Sequence, residues 1–212
     1  MNTRSNTYSE ERAALDLGVG AAMSVSQMQC IWRLESGAMR VGNLREDGEI
    51  ELVSIALPGD LVGVEYWAGE HVALHASAVL PTRLVPVDMG SISMEAVLRE
   101  ALLTARRRCL EIVSVRSGPV AERVRSLLLL LADAMGALPG KALPSIKETA
   151  ELVGSTPETV SRVLSHLKQL HLLADRRRGK GALDVDLLRD ARFSQGMTSS
   201  GVRLQPNAMQ AV

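Results

Sequence analysis

The chain is poor in aromatic residues and in cysteine, and it has no long apolar run. Two Trp, two Tyr and one Phe make up 2% of the 212 residues. Packing must therefore rest on aliphatic side chains, and nucleic-acid recognition by rows of stacked rings is not expected. Two cysteines, Cys30 and Cys109, are too few for a disulfide framework, a four-thiolate metal site or a four-thiolate iron–sulfur cluster. No stretch approaches the ~18 apolar residues of a membrane-spanning helix, and the first residues are polar. The expectation is a cytoplasmic protein with no membrane partner. What is present is ordinary for a globular chain: 46% hydrophobic and 23% charged residues, enough for one large domain or two small ones, each with its own core.

Lysine is also missing from the front of the chain. Residues 1–90 hold six arginines and no lysine against twelve acidic residues, a balance of −6, while residues 91–212 carry +6, so the formal net charge is zero. An acidic front and a basic rear suggest two modules with different partners, although two solvated surfaces of unlike sign would give the same count.

The front half reads as β structure. Aliphatic stretches of strand length at 31–34, 38–44, 50–57, 61–64, 72–79 and 83–87 are punctuated by Ser36 and Gly37, by Asp47 and Gly48, and by Pro58, Gly59 and Asp60. Such turn residues supply left-handed or pre-bent backbone at low cost, and Asp-Gly between two apolar runs is a hairpin signal. Short strands at this spacing predict a sandwich or jelly-roll barrel, filled by its own side chains or holding one small ligand.

Residues 91–116 contain no Gly or Pro, and Met94, Leu98, Ala101, Ala105, Cys109 and Ile112 recur at steps of three and four. That spacing keeps one apolar stripe on one face of a long helix. Arg99, Glu100, Arg107, Arg108 and Glu111 lie on the other face. At about 39 Å the helix would outrun a small barrel, so the stripe is expected to pack against a second copy in a homodimer. Cys109 is read as packing within it. Ser117, Gly118 and Pro119 then break the helix, and Pro119 suits the first turn of a new one. The stripe Val120, Val124, Leu127, Leu128 and Leu131 follows. Residues 117–119 are the candidate hinge.

The decisive stretch is 143–173. Ser145 with Glu148 makes a capping box that starts a short helix, and Gly154 stops it. Thr156 caps a second helix with Pro157 at its first position, and Val160, Val163, Leu164 and Leu167 pack inward. Two short helices joined by a tight Gly turn form a helix-turn-helix. Glu158, Thr159, Ser161, Arg162, Ser165 and His166 face away from most of the apolar stripe. After Leu173, a Gly-flanked basic run with Arg176, Arg177, Arg178 and Lys180 has the composition of a wing that reaches phosphates. No catalytic constellation or metal-ligand cluster stands out, so the chain is not expected to be an enzyme.

Residues 154–162, G-S-T-P-E-T-V-S-R, resemble the recognition-helix signature of the Crp/Fnr superfamily of bacterial transcription regulators, in its Fnr/FixK-like form. The order of parts resembles it too, as do the front segment 34–41 and the turn 58–63. The resemblance spans about residues 15–190 and implies an α+β fold. Its expected parts are an N-terminal jelly-roll β-barrel of the cyclic-nucleotide-binding type (1–90), a long dimerisation helix (91–117), a C-terminal winged helix-turn-helix (118–192) and a flexible tail (193–212). It also implies a homodimer on double-stranded DNA, RNA polymerase as a partner, and Glu158, Ser161 and Arg162 at the base-reading positions of a palindromic TTGA-like operator. Chemistry agrees: a guanidinium fork fits guanine O6 and N7, and a carboxylate accepts from a cytosine amino group. Ser145, Lys147, Thr156, Thr159, Lys168 and the wing residues are the candidate phosphate contacts. Ile146 departs from the basic or polar residue usual there, and Lys147 is expected to serve instead.

No resident cofactor is expected, and an effector, if there is one, stays unidentified. Gly63, Val64 and Glu65 only roughly match a cyclic-nucleotide cradle, Val72 and Ala73 stand where Arg-Ser belongs, and no Arg occurs between Arg45 and Arg83. A buried cyclic phosphate would lack a cation, at a cost on the order of several kcal/mol, so no cAMP response is expected. Haem through His71 or His75 is left open beside their reading as surface or loop histidines. Two other functions remain at this stage: a helix-turn-helix used for protein contacts, and a ligand-binding β-barrel with no DNA role.

Overall fold

The aliphatic stretches of the front half are laid down as strands in the computed structural model, which describes residues 13–48, 50–67, 74–90, 92–135, 143–173 and 185–190. By contacts among its own residues the chain divides into two compact units, Met1–Cys109 and Leu110–Val212.

In the first unit β1 (Leu15–Leu17) and a capped turn of helix, α1 (Val25–Met28), precede β2 (Trp32–Ser36), β3 (Met39–Leu44) and β4 (Ile50–Ala56). Then come β5 (Leu61–Val62), the one-turn α2 (Val64–Trp67), β6 (Leu74–Ala78) and β7 (Thr82–Pro86). All pairings are antiparallel, in two sheets ordered β1-β7-β2-β5 and β4-β3-β6. Trp32, Leu34, Val62 and Leu84 from one sheet share a single core with Met39, Val41, Ala56 and Ala76 from the other.

The expected turns fall where the chain needs left-handed backbone. Gly48 (φ 84°) closes the β3–β4 hairpin by donating its N–H to the Arg45 carbonyl at 3.0 Å. The expected strand 61–64 is cut to two residues. Gly63 (φ 93°) turns the chain so close to the Cys30 carbonyl that a Cβ would collide with it, and Val64 already begins α2. β1 was not anticipated; it is three residues long and pairs with β7 alone. Residues 72 and 73 of the stretch expected at 72–79 lie outside the described residues.

The long helix, α3 (Met94–Arg116), starts three residues later than expected and is turned the other way round from a simple amphipathic helix. Toward its own β unit it sends Val97, fully buried beside Ile31 and Val64, with Ala101 partly packed on the same cluster. Otherwise it sends charge. Asp60, 2% exposed, accepts from Arg108 Nε at 2.6 Å and Nη2 at 3.1 Å, and Arg108 is itself only 8% exposed. The same carboxylate accepts the Leu57 backbone N–H at 2.8 Å, so one side chain ties the Pro58–Gly59 turn to the helix. Arg33 clasps Glu100 through both its terminal nitrogens, at 2.5 and 3.0 Å.

The Arg33 hydrogen bond holds the Glu100 carboxyl below its ordinary value of 4.5 against the opposing effect of burial, and the same bond raises Arg33. A carboxyl depressed on folding contributes stability that is complete above that ordinary value and is lost as pH falls through the lower folded one. With both side chains about a third exposed, the pair is worth about 0.2–1 kcal/mol.

In the second unit the end of α3 is followed by α4 (Val120–Met135), α5 (Ile146–Val153), α6 (Pro157–Gln169) and α7 (Val185–Asp190). Val124, Leu127, Leu128 and Leu131 of α4 meet Ala150, Leu152 and Val153 of α5 and Val160, Val163 and Leu167 of α6 in the core, all buried. α7 packs on α4 through Leu188, clamped by Arg125, which donates from Nε to the Leu188 carbonyl at 2.7 Å, and by an Arg189–Asp133 ion pair. Arg176, Arg177, Arg178 and Lys180 lie outside the described residues, as does the tail expected from 193.

The buried pair makes a sharp prediction. Asp60→Asn removes the buried carboxylate that takes two Arg108 hydrogen bonds and should cost about 3–5 kcal/mol of stability in urea unfolding. Adding Arg108→Met to that variant should recover part of the loss, because the buried guanidinium that faced the carboxylate is removed with it.

Candidate nucleic-acid interface

The two helices of the turn are fixed by short-range signals in the sequence. Ser145 caps α5, its hydroxyl accepting the Glu148 N–H at 3.1 Å. Gly154 (φ 61°) ends α5 in the left-handed conformation, where the Ser155 N–H donates to the Ala150 carbonyl at 2.9 Å. Thr156 then caps α6, its hydroxyl accepting the Thr159 N–H at 3.3 Å and lying 3.1 Å from the Thr159 hydroxyl. Pro157 occupies the first turn, where a missing N–H costs nothing.

Val160, Val163 and Leu167 of α6 are buried, while Glu158, Arg162 and Ser165 are exposed and Ser161 is half-buried. At ~100° per residue, Glu158, Ser161, Arg162 and Ser165 fall within about 100° of one another, opposite the buried row. All three expected base-reading residues therefore share one outward face in the first two turns. Glu158 is held ionised: its own backbone N–H and then the Thr156 hydroxyl lower its carboxyl below the usual range, with the Arg162 charge adding to them. An ionised carboxylate only accepts hydrogen bonds, and at a helix N-terminus its charge also suits the macrodipole.

Ser145, Lys147 and Thr156 are exposed at the starts of their helices, and Thr159 is half-buried. Lys168 is exposed in the last turn of α6, about 17 Å along the axis from Pro157. The N-terminal phosphate candidates therefore cluster around the two helix starts, and Lys168 stands apart from them. Ile146, the departure from the family pattern, is exposed beside Lys147. His166 differs from the sequence reading: it is half-buried, and its Nε2 is buried without a hydrogen-bond partner, so that atom does not reach a groove.

Sequence reasoning passed over Arg123. From the first turns of α4 its Nη1 donates to the carbonyls of Val153 and Gly154 at 2.5 and 2.9 Å, a contact across 30 residues that no local pattern announces.

On α3, Met94 and Leu98 are exposed in the single chain, as are Ala105 and Cys109; Ile112 and Ala101 are half-buried. Cys109 is thus not packed within its own unit. Leu102, Leu103, Leu110 and Val113, absent from the expected stripe, are more exposed still, Leu102 at 72% and Leu110 at 69%.

Of the two histidines weighed for haem, His71 lies outside the described residues. His75 sits in β6 opposite Gly42, where burial and then the Arg40 charge hold its imidazole below 6.5. Among the described residues no three His, Cys, Asp or Glu side chains come together as a metal site, and no helix is long and apolar enough to cross a membrane.

Residues 122–191 match the family described as the Crp-like helix-turn-helix domain. The nitrogen fixation regulation protein FixK of Rhizobium meliloti is 34% identical over 177 residues, covering 81% of this chain and 76% of that protein. The transcriptional regulator LdrP of Thermus thermophilus is 30% identical over 169 residues, covering 76% and 87%. Among solved structures, a CRP-family transcriptional regulator from Thermus thermophilus superposes with a TM-score of 0.65 at 26% identity, covering 82% of this chain and 94% of that one. FixK2 from Bradyrhizobium japonicum shares the fold, with a TM-score of 0.63 at 22% identity over 84% and 95% of the two chains.

The cap at Thr156 separates two roles. Thr156→Ala should cost about 1 kcal/mol of stability in urea unfolding. Thr156→Asp should keep the cap and the stability, yet weaken binding to any duplex because a carboxylate would face the phosphates.

Proposed function

Since the chain belongs to the Crp/Fnr family of DNA-binding transcription regulators, we propose that it works as a homodimer, each copy laying α6 in the major groove of one half of a palindromic, TTGA-like operator. The observation that carries this reading is the outward face of α6: Glu158, Ser161 and Arg162 together in its first two turns, backed by a fully buried row. Arg162 supplies the fork for guanine O6 and N7, and the ionised Glu158 accepts from a cytosine amino group. Ser145, Lys147, Thr156, Thr159 and Lys168, with Arg176, Arg177, Arg178 and Lys180 of the expected wing, hold phosphates and set register.

The dimer reading draws on α3. A helix with Leu102 and Leu110 this exposed carries apolar surface suited to a second copy. In that dimer Met94, Leu98, Ala101, Ala105, Cys109 and Ile112 lie along the seam, with Leu102 and Val113 beside them. A two-fold pair of α6 helices then meets half-sites about 34 Å apart. We assign residues 1–90 to a sensor-like domain, 91–117 to the dimer helix and 118–192 to the DNA-binding domain, in a cytoplasmic regulator that acts on RNA polymerase.

Two measurements test the reading on an operator selected from random duplexes. Arg162→Ala should cost about 1–3 kcal/mol of operator binding in gel shifts and relax the preference at one base pair; unchanged preference would move base reading off α6. Leu102→Glu should shift sedimentation from dimer to monomer and weaken operator binding with it, while a dimer that persists would place the seam elsewhere.

A further inference from the structure

The break between α3 and α4 is flanked by two arginines that both end on the same turn. Arg116 is the last residue of α3, and Arg123 sits in the first turns of α4, its own N–H bonded to the Pro119 carbonyl at 3.0 Å. Between them Gly118 takes φ 87°, a conformation that ends one helix and lets the next leave in a new direction.

Arg123 reaches the end of α5. The last carbonyls of a helix have no partner within it, and they form the negative end of its dipole. One nitrogen of the Arg123 guanidinium serves two of them, Val153 and Gly154. The Arg123 Nε is buried and makes no hydrogen bond, so this cation is held in partly desolvated surroundings with one donor unused. That cost is offset by the two carbonyl bonds.

Arg116 lies against the same turn. A Cβ placed on Gly154 would stand 2.5 Å from Arg116 Nη1 and 3.6 Å from its Cζ, so the guanidinium lies directly over the glycine. From Gly154 a single residue, Ser155, leads to Thr156, the cap of α6. Whatever fixes this turn fixes the start of the helix that carries Glu158, Ser161 and Arg162.

We propose that Arg123 is a positioning residue for operator recognition: together with Arg116 it fastens the Gly154 turn to the α3–α4 break and so sets the angle at which α6 meets the base edges. Base readout demands side chains held within about 0.5 Å and 10–20°, whereas phosphate attraction tolerates a looser helix. The clip therefore governs the discrimination between operator and other DNA more than it governs attraction to a duplex. This inference rests on α6 being the base-reading helix.

The test uses the full chain with three single variants, measuring dissociation constants for the selected operator and for a scrambled duplex at the same salt, with thermal midpoints alongside. Arg123→Met keeps the aliphatic stem and removes the donors. It should weaken operator binding about tenfold and change scrambled-duplex binding less than twofold. Arg123→Lys, able to reach one carbonyl, should recover part of the lost ratio. Arg116→Ala, an exposed position, should lower the ratio by about threefold and decides the matter if Arg123→Met does not fold. If both DNAs weaken equally, or if only the thermal midpoint moves, Arg123 is a structural residue and the proposal fails. Arg162→Ala is the control: if it leaves operator preference intact, the assignment of α6 is wrong, whereas a lost preference there with an unchanged ratio in Arg123→Met overturns the clip alone.

Discussion

The DNA-facing half depends on one left-handed residue. α5 has to stop after eight residues and α6 has to start soon after Gly154, in a new direction, with its first turns facing out. Gly154 makes this affordable because φ 61° carries no side-chain penalty for glycine. The same absence of a Cβ leaves room for Arg116 above it. The carbonyls freed by the stop are taken up by Arg123, and the N–H groups exposed by the restart are capped by Thr156. The result is a helix N-terminus whose polar face meets solvent and whose apolar face is locked into the three-helix core. In the proposed complex that end brings a favourable dipole toward phosphate while its second turn carries Arg162 toward base edges.

α3 follows a different logic. A surface helix ordinarily turns its apolar face inward; here charge does much of the docking onto the β unit and the aliphatic residues face out. Among the described residues its apolar contact with that unit runs through Val97 and part of Ala101, which gives little directional control because burial of aliphatic surface is non-directional. The Asp60–Arg108 and Arg33–Glu100 pairs are directional, so they fix the rotation of the helix about its own axis. Once that rotation is set, Leu98, Leu102 and Cys109 cannot turn inward. The ion pairs thereby keep an apolar face available, the face on which the proposed second copy would pack.

The caps, breaks and turns were legible because each is a local event. Ser145, Gly154, Thr156 and Pro157 declare the helix-turn-helix within one short stretch of sequence, and Gly48 declares its hairpin in the same way. Periodicity was legible in α3, and its length already set the stripe apart from its own barrel; what the spacing could not report is the anchor of the charged row, because Asp60 lies 48 residues away from Arg108. β1, α2 and α7 are too short to carry a periodic signal and are held by pairing or packing alone. Arg123 escaped notice for the same reason as Asp60, since its partners are distant in the chain. His166 looked available on a helical wheel because spacing cannot report that the edge of the exposed face is already covered.

The zero net charge bears on how such a protein discriminates. A duplex attracts cations wherever they sit within about 8–10 Å of it, so a strongly basic chain gains affinity for every sequence alike. In this chain the rear surplus is partly committed: Arg123 and Arg125 donate to helix carbonyls and Arg189 pairs with Asp133. Arg108, within the same basic stretch, is buried on Asp60. Arg108, Arg125 and Arg189 each face a carboxylate that offsets their charge, whereas Arg123 keeps its full charge beside neutral carbonyls. Lys147, Arg162 and Lys168 of the helix-turn-helix remain turned outward, as do Arg99, Arg106, Arg107 and Arg116 of α3. On the proposed reading, each carboxylate-paired arginine trims unspecific attraction, so a larger share of operator affinity comes from base contacts, for which the geometry of α6 matters more than the number of positive charges. The proposed fastening of α6 and the pairing of nearby cations with carboxylates would then serve the same end, a high ratio of specific to unspecific binding.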